Sequence, residues 1–259
     1  MDAVVTAGGT PVPGEPLYEI AEGRPKALID VAGKAMAQWV LDALGAASRV
    51  ERVILVGASP DTGLTCAKPM EFVPNQGTML SNIKAGLGFT LKADPGARHV
   101  LVVSSDIPGI TSEMVDWTVD TTMQTDDDLY YLVIERATME SRYPGSKRTY
   151  VRLKDVEVCG GDMNVMRTTL AGNEGLWERL VEARKNAMKQ AALIGLDILF
   201  LVLIRELSLH SAESKISKRL KLHGRVVLSP FAEIGMDVDK PFQLELMRQD
   251  LAPRQSRSS

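Results

Sequence analysis

Cysteine and histidine are scarce in this chain of 259 residues, which holds two cysteines, Cys66 and Cys159, and three histidines, His99, His210 and His223. None of these stands at metal-ligand spacing from another, which argues against a zinc site. Two distant cysteines do not make a disulfide framework; they fit the reduced thiols of a cytoplasmic protein. Basic surplus is also missing. The net charge of −3 leaves no electrostatic footprint for nucleic acid. The start of the chain carries an acidic Asp2 and runs straight into an apolar strand pattern, so no secretory leader is expected. The longest apolar run, AALIGLDILFLVLI at 191–204, is interrupted by Asp197. It falls short of the roughly 20 apolar residues of a membrane span and predicts a buried helix. A Walker loop, a Gly-x-Ser-x-Gly elbow and an internal repeat are all absent.

What is present is an ordinary globular composition, 45% hydrophobic and 24% charged, at a length that permits one large α/β domain. AVVTA (3–7) reads as a buried strand ending in Gly8-Gly9, and the proline-rich stretch 10–26 excludes regular structure. Met36, Trp39, Val40, Ala43, Leu44 and Ala47 recur at helical spacing and predict a helix over 35–47. RVILVG (52–57), a helix over 78–91 and the strand HVLVVSSD (99–106) follow, then a helix capped by Thr111 or Ser112. Alternating strands and helices of this kind predict a parallel sheet of βαβ units. LYYLVIERA (129–137) and TYVRLKDVEV (149–158) read as strands with no helix between them. Residues 174–222 read as wholly helical; RVVLSP and AEIGMDV return to strand, and PFQLELMRQ closes on a short helix.

In such sheets ligands lie beyond the carboxyl ends of the strands. Three polar clusters fall there: Gly8-Gly9, Ser104-Ser105-Asp106 and Asp237-Val238-Asp239. Paired glycines let backbone N–H groups approach a phosphate. Asp106, at the end of the most apolar strand, is placed either to bind a hard cation such as Mg²⁺ or to cap the following turn. Asp237 and Asp239 point the same way, and Asp239 competes for a capping role before Pro241. Lys26 can neutralise phosphate charge or lie solvated at the surface. Asp126-Asp127-Asp128 reads as a solvated loop.

In order along the chain stand Gly8-Gly9-Thr10, Pro16-Leu17, Pro25-Lys26-Ala27-Leu28 and Gly33-Lys34. They resemble the N-terminal signature of sugar-nucleotide pyrophosphorylases. NQGTMLSNIKAGL (75–87) resembles the base-contacting turn and helix of that family. SSDIP (104–108) and GMDVDKP (235–241) are similar to the aspartate segments of molybdenum cofactor guanylyltransferase. The resemblance covers most of residues 1–165 and 224–250. It implies a Rossmann-like, glycosyltransferase-A-type α/β fold, with a mostly parallel sheet flanked by helices. The activity it implies is Mg²⁺-dependent transfer of a nucleoside monophosphate from an NTP to a small phosphorylated acceptor. On this resemblance Lys26 and Asp106 are catalytic, and Asp106, Asp239 and Asp237 are metal ligands. Ala7, Gly8, Gly9, Thr10, Gln76, Gly77, Thr78, Ser81 and Ser105 bind the nucleotide, and Gly161, Asp162 and Asn164 the acceptor. The arginine that the family places four or five residues after Gly-Gly is replaced here by TPVPGE, with Arg24 the candidate to reach in instead. The alternatives are a glycosyltransferase using a nucleotide sugar and a non-catalytic nucleotide sensor.

The expected organisation is a single domain over 1–250, a helical insertion at about 174–222 outside the shared core, and a disordered tail over 251–259. Because the run 191–204 is apolar on every face, it predicts a homodimer through Leu196, Phe200 and Leu203, with Asp197 paired to a basic residue.

Overall fold

A computed structural model describes residues 1–185, 193 and 195–255. Strands β1 (Asp2–Thr6), β4 (Arg52–Val56), β5 (Met70–Val73) and β6 (His99–Ser104) form a parallel sheet in the order β5-β4-β1-β6. The short β2 (Asp30–Val31) and β3 (Lys34–Ala35) pair separately. Side chains alternate between the faces of a strand, and the apolar runs of this sheet divide accordingly. Ala3, Val5, Val53, Leu55, Leu101 and Val103 join one buried cluster, whereas Val4, Ile54, Val56, Val100 and Val102 join another. Burial on both faces is why these strands read as continuous apolar runs and not as alternating ones.

Helices α2 (Met36–Ala46) and α4 (Ser112–Thr122) cover the first face, and α3 (Met79–Ala93) covers the second. The six predicted stripe residues of α2 are all buried. A Cβ at Gly86 of α3 would lie 2.2 Å from Val4 Cγ1, so its glycine lets the helix press onto β1. α4 begins after Thr111 as expected, but no side chain caps it.

Beyond β6 the sheet becomes mixed. β10 (Met163–Arg167) runs antiparallel to β6 and to β7 (Leu129–Glu135), and β9 (Glu157–Gly160) pairs with the far part of β7. The ladder holds Val133 opposite Gly160 and Tyr130 opposite Val165, so residues 161–164 bulge against 131–132. β8 (Val151–Arg152) pairs with β9, and β11 (Gly224–Ser229) runs parallel to β7.

Several expectations change. A helix, α5 (Arg136–Arg142), separates β7 from β8; with seven residues and Met139 alone buried, it shows no periodicity. Residues 232–235 form a 3₁₀ turn in place of the strand read at AEIGMDV, and a four-residue helix, α1 (Tyr18–Ala21), interrupts the proline-rich loop. Asp126, Asp127 and Asp128 form a loop with Asp126 exposed, as expected, but their carboxylates are engaged. They pair with Arg98, Arg167 and Arg225, and Asp128 also accepts from the His223 N–H at 2.8 Å.

The first helix of the block packs onto the sheet. α6 (Glu174–Lys185) buries Leu176 and Trp177 with Val4 and Leu87, and the Trp177 indole donates to the Leu170 carbonyl at 2.8 Å. In α7 (Leu196–Leu203), Ile198 is buried in a third cluster with Val133, Val158 and Leu207. Phe200 and Leu203 are 59% and 78% exposed. Asp197 pairs with Arg219 and Lys215 of α8 (Leu209–Leu220), as its predicted basic partner required. The side chain of Leu196, the segments 186–192 and 256–259, and residue 194 lie outside the described residues. The closing helix α9 (Pro241–Gln255) extends past the short helix expected, because Leu251 is buried; residues 251–255 are helical and not a tail. Among the described residues no helix is long and apolar enough to cross a membrane.

Candidate functional site

A cleft of about 390 Å³ opens at the carboxyl ends of β1 and β6. Its floor is the loop after β1. The Gly57 backbone, at φ +99°, packs so closely on Gly8 that a Cβ there would stand 2.3 Å from the Gly8 Cα. On the other side a Cβ on Gly8 would collide with Asn75 and Asn82. Gly8 is therefore fixed by packing. Gly9 has open space where its Cβ would be, so the close approach a phosphate needs is available there. The Lys26 N–H donates to the Gly9 carbonyl at 2.9 Å and ties the loop to the Pro-Lys segment.

Asp106 follows β6. Its carbonyl accepts from the Val238 N–H, and the Ser105 N–H donates to Thr6, so two neighbouring segments fix its backbone. The Lys26 ammonium lies between two carboxylates, 2.7 Å from Asp106 Oδ2 and 2.5 Å from Asp239 Oδ1. Burial works against the charge on Lys26, but the two aspartates outweigh it and hold the ammonium above its ordinary range. Asp106 spends one oxygen on Lys26 and leaves Oδ1 buried without a partner. Asp239 turns its carboxylate to Lys26, while its N–H donates to Gln243 Oε1 at the start of α9.

Asp162 sits on the bulge between β9 and β10. Its carbonyl accepts from the Ser104 N–H, and its own N–H donates to Ile234. Burial and the Asp106 carboxylate push its pKa up to about 7, against the pull of Arg148 and Lys26. Arg148, in the loop before β8, pairs with Asp237 and lies 4.0 Å from Asp162.

Of the predicted residues, Ala7, Gly8, Gly9, Lys26, Gly77, Thr78, Ser105, Asp106 and Asp239 line one cleft. Others do not. Asp237 is engaged by Arg148, and among the described residues no three carboxylate, histidine or cysteine groups converge as a metal cage. Arg24 is exposed and pairs with Glu22 at 3.4 Å, outside the cleft lining. Thr10 is exposed and does not line it either. The Gln76 amide folds back on the Pro74 carbonyl, and Ser81 donates its N–H to Thr78 Oγ1 to cap α3. Gly161 and Asn164 serve the bulge: the Gly161 N–H and the Asn164 amide oxygen bond to Leu132.

The reading missed Asn75, Asn82, Glu15 and Arg148. Asn75 donates to the Gly8 carbonyl and accepts from the Gly77 N–H, bracing the two loops against each other. Asn75, Asn82 and Glu15 stand in segments already quoted, whereas Arg148 lies just before one; no periodicity marks any of them as part of a site. The N-terminus of α3, at Thr78 and Met79, also faces the cleft, and such a terminus carries about half a positive charge. A cation held through one or two carboxylates plus phosphate oxygens needs no preformed cage. Asp106, with its unpartnered buried oxygen, and Asp239 fit that requirement.

The sequence matches the family model of the MobA-like NTP transferase domain over residues 3–193. Among solved structures, a hypothetical transferase from Thermus thermophilus is 32% identical, with 94% of this chain and 98% of that one covered and a TM-score of 0.81. CMP:2-keto-3-deoxy-manno-octonic acid synthetase, solved with CTP, is 14% identical with a TM-score of 0.58, covering 97% of this chain and 98% of that one. For 4-diphosphocytidyl-2C-methyl-D-erythritol synthase from Anaerococcus prevotii the identity is 14%, the coverage 96% and 95%, and the TM-score 0.57. The last two show a shared fold. No curated protein matches significantly.

Proposed function

The chain belongs to the MobA-like NTP transferase family, and from that premise we propose that it transfers a nucleoside monophosphate from an NTP to an oxygen of a small phosphorylated acceptor. The acceptor oxygen attacks the α-phosphorus, the bond to the β-phosphate breaks, and pyrophosphate leaves. The observation that carries this reading is the convergence of Lys26, Asp106 and Asp239 beside a loop whose Gly9 has open space before it.

In this reading Gly9 and the α3 N-terminus seat the phosphates. Lys26 moves from its carboxylate partners onto the α-phosphate, where fixed positive charge stabilises the transition state more than the ground state. Asp106 and Asp239 would hold Mg²⁺, which supplies neutralisation of phosphate charge. Asp162, fixed beside Asp106, borders the acceptor side. The reading includes a cytoplasmic location, where NTP is available, and a homodimer through the exposed face of α7.

A non-catalytic nucleotide sensor is the second reading, favoured by the position of Arg24 outside the cleft. A glycosyltransferase has no use for the Lys26 arrangement. Pyrophosphate release, measured over four NTPs against a panel of sugar and alcohol phosphates, separates them. Asp106→Ala is expected to abolish release, since a lost metal ligand costs several kcal/mol of transition-state stabilisation, while circular dichroism stays unchanged. Near-wild-type Mg²⁺-dependent turnover in that variant would sink the assignment.

A further inference from the structure

The charge lining the nucleotide cleft is the wrong sign for a bare triphosphate. Among the described residues that line it, three carboxylates, Glu15, Asp106 and Asp239, stand with one cationic side chain, Lys26. That lysine is already shared between two of them. Lys240 adds one positive charge only in the adjoining outer recess, which Glu15, Lys26 and Asp239 also line, and the sum stays negative. A cleft walled by one sign of charge focuses its field on whatever enters. An NTP brings about four negative charges of its own at neutral pH, so without a cation it meets repulsion that the α3 terminus, at about half a charge, cannot offset.

Asp106 and Asp239 have partners in Lys26 and a use in holding metal. Glu15 has neither. Its Oε2 accepts the Val12 N–H at 3.0 Å, while the Glu15 N–H donates back to the Val12 carbonyl, so the loop holds this carboxylate at the cleft wall. The backbone contact needs an acceptor oxygen there, and an uncharged amide would supply it as well. The charge is therefore unexplained by the loop.

We infer that Glu15 is a specificity-determining residue that restricts the cleft to nucleotide carrying a divalent cation and rejects the metal-free anion. The inference rests on the reading of this cleft as an NTP site. With the cation bound, the net charge of the nucleotide falls by two, and Glu15 repels it correspondingly less. Without it, Glu15 opposes entry. The ligand class is thus the metal–NTP complex.

The test uses the full chain and the N-methylanthraniloyl derivatives of ATP, GTP, CTP and UTP, titrated by fluorescence in excess Mg²⁺ and in excess EDTA. Wild type is expected to bind at least one of them in Mg²⁺ and far more weakly in EDTA. Glu15→Gln keeps the acceptor for Val12 and deletes the charge. It should tighten metal-free binding about tenfold and shrink the ratio of Mg²⁺ to EDTA affinities by the same factor. Glu22→Gln removes a nearby carboxylate that lies outside the cleft lining and should leave the ratio unchanged. Should Glu15→Gln disturb folding, Glu15→Ala provides the second reading of the same ratio. An unchanged ratio in the folded Glu15 variant, or a wild type equally tight in EDTA, overturns the inference and leaves the nucleotide site standing. Absence of binding by all four probes in Mg²⁺ overturns the nucleotide reading itself.

Discussion

Lys26 holds its charge in a mostly enclosed position only because Asp106 and Asp239 stand on either side. A buried charge without partners is costly, and so are two facing carboxylates without a cation. Lys26→Met therefore acts twice. In turnover, kcat should fall by about a hundredfold or more with a modest change in NTP affinity, because fixed charge acts mainly in the transition state. In folding, the variant should lose stability at neutral pH, since Asp106 and Asp239 are left without the cation between them. Steady-state kinetics and thermal melts across pH check both; an unchanged kcat would make Lys26 a structural cation only. Asp162 has the opposite linkage. Its folded pKa of about 7 lies above the unfolded carboxylate value of about 4, so the folded state binds the extra proton between those limits. It favours folding most at low pH, and that contribution is lost as pH rises from about 4 through about 7. Asp162→Asn should match wild type near pH 4 and melt higher than wild type above pH 7. Melts that stay parallel across that window would remove the assignment.

At the scale of elements, the bulge at 161–164 puts the Asp162 backbone against β6 and Ile234, and α6 closes the second face of the sheet. Trp177 contributes both apolar area and an indole bond to Leu170 there. Trp177→Ala should cost about 3–5 kcal/mol by the usual penalty for emptying a large core site, measured by denaturant unfolding; a loss under about 1 kcal/mol would mean that α6 is only an appendage. What was legible in the sequence follows from the same physics. Strands β1, β4 and β6 announce themselves because both faces are buried, and Gly8-Gly9, Asp106 and Asp239 stand where those elements or their neighbours end. Their chemistry is local. Asp237 and Asp239 look equivalent by spacing, yet the fold gives one to Arg148 and the other to Lys26. Arg148 itself arrives from a loop some 90 residues before them, and no local pattern connects the three. Helix α5 escaped because it has one buried residue, and the surface that α6 packs on was not legible because its partners Val4 and Leu87 are distant in sequence.

For the whole molecule, α7 sets the outstanding question of assembly. One side of the helix is covered within the chain, where Ile198 packs in the third cluster. The uncovered side carries Leu199, Phe200, Leu203 and Ile204 on successive turns. Asp197, the acidic group in this helix, is neutralised by Arg219 and Lys215, so its charge does not repel an approaching apolar face. A contiguous apolar patch of more than a few hundred Å² is rarely left bare on a monomer. Two copies meeting about a twofold axis would place the same patch against itself, the commonest closed arrangement of identical chains. Phe200 is more than half exposed, so Phe200→Glu introduces charge at the contact without emptying the core. Wild type is expected to scatter light as a dimer and the variant as a monomer with an unchanged circular dichroism spectrum. A monomeric wild type, or a folded variant that remains dimeric, would exclude α7 as the interface.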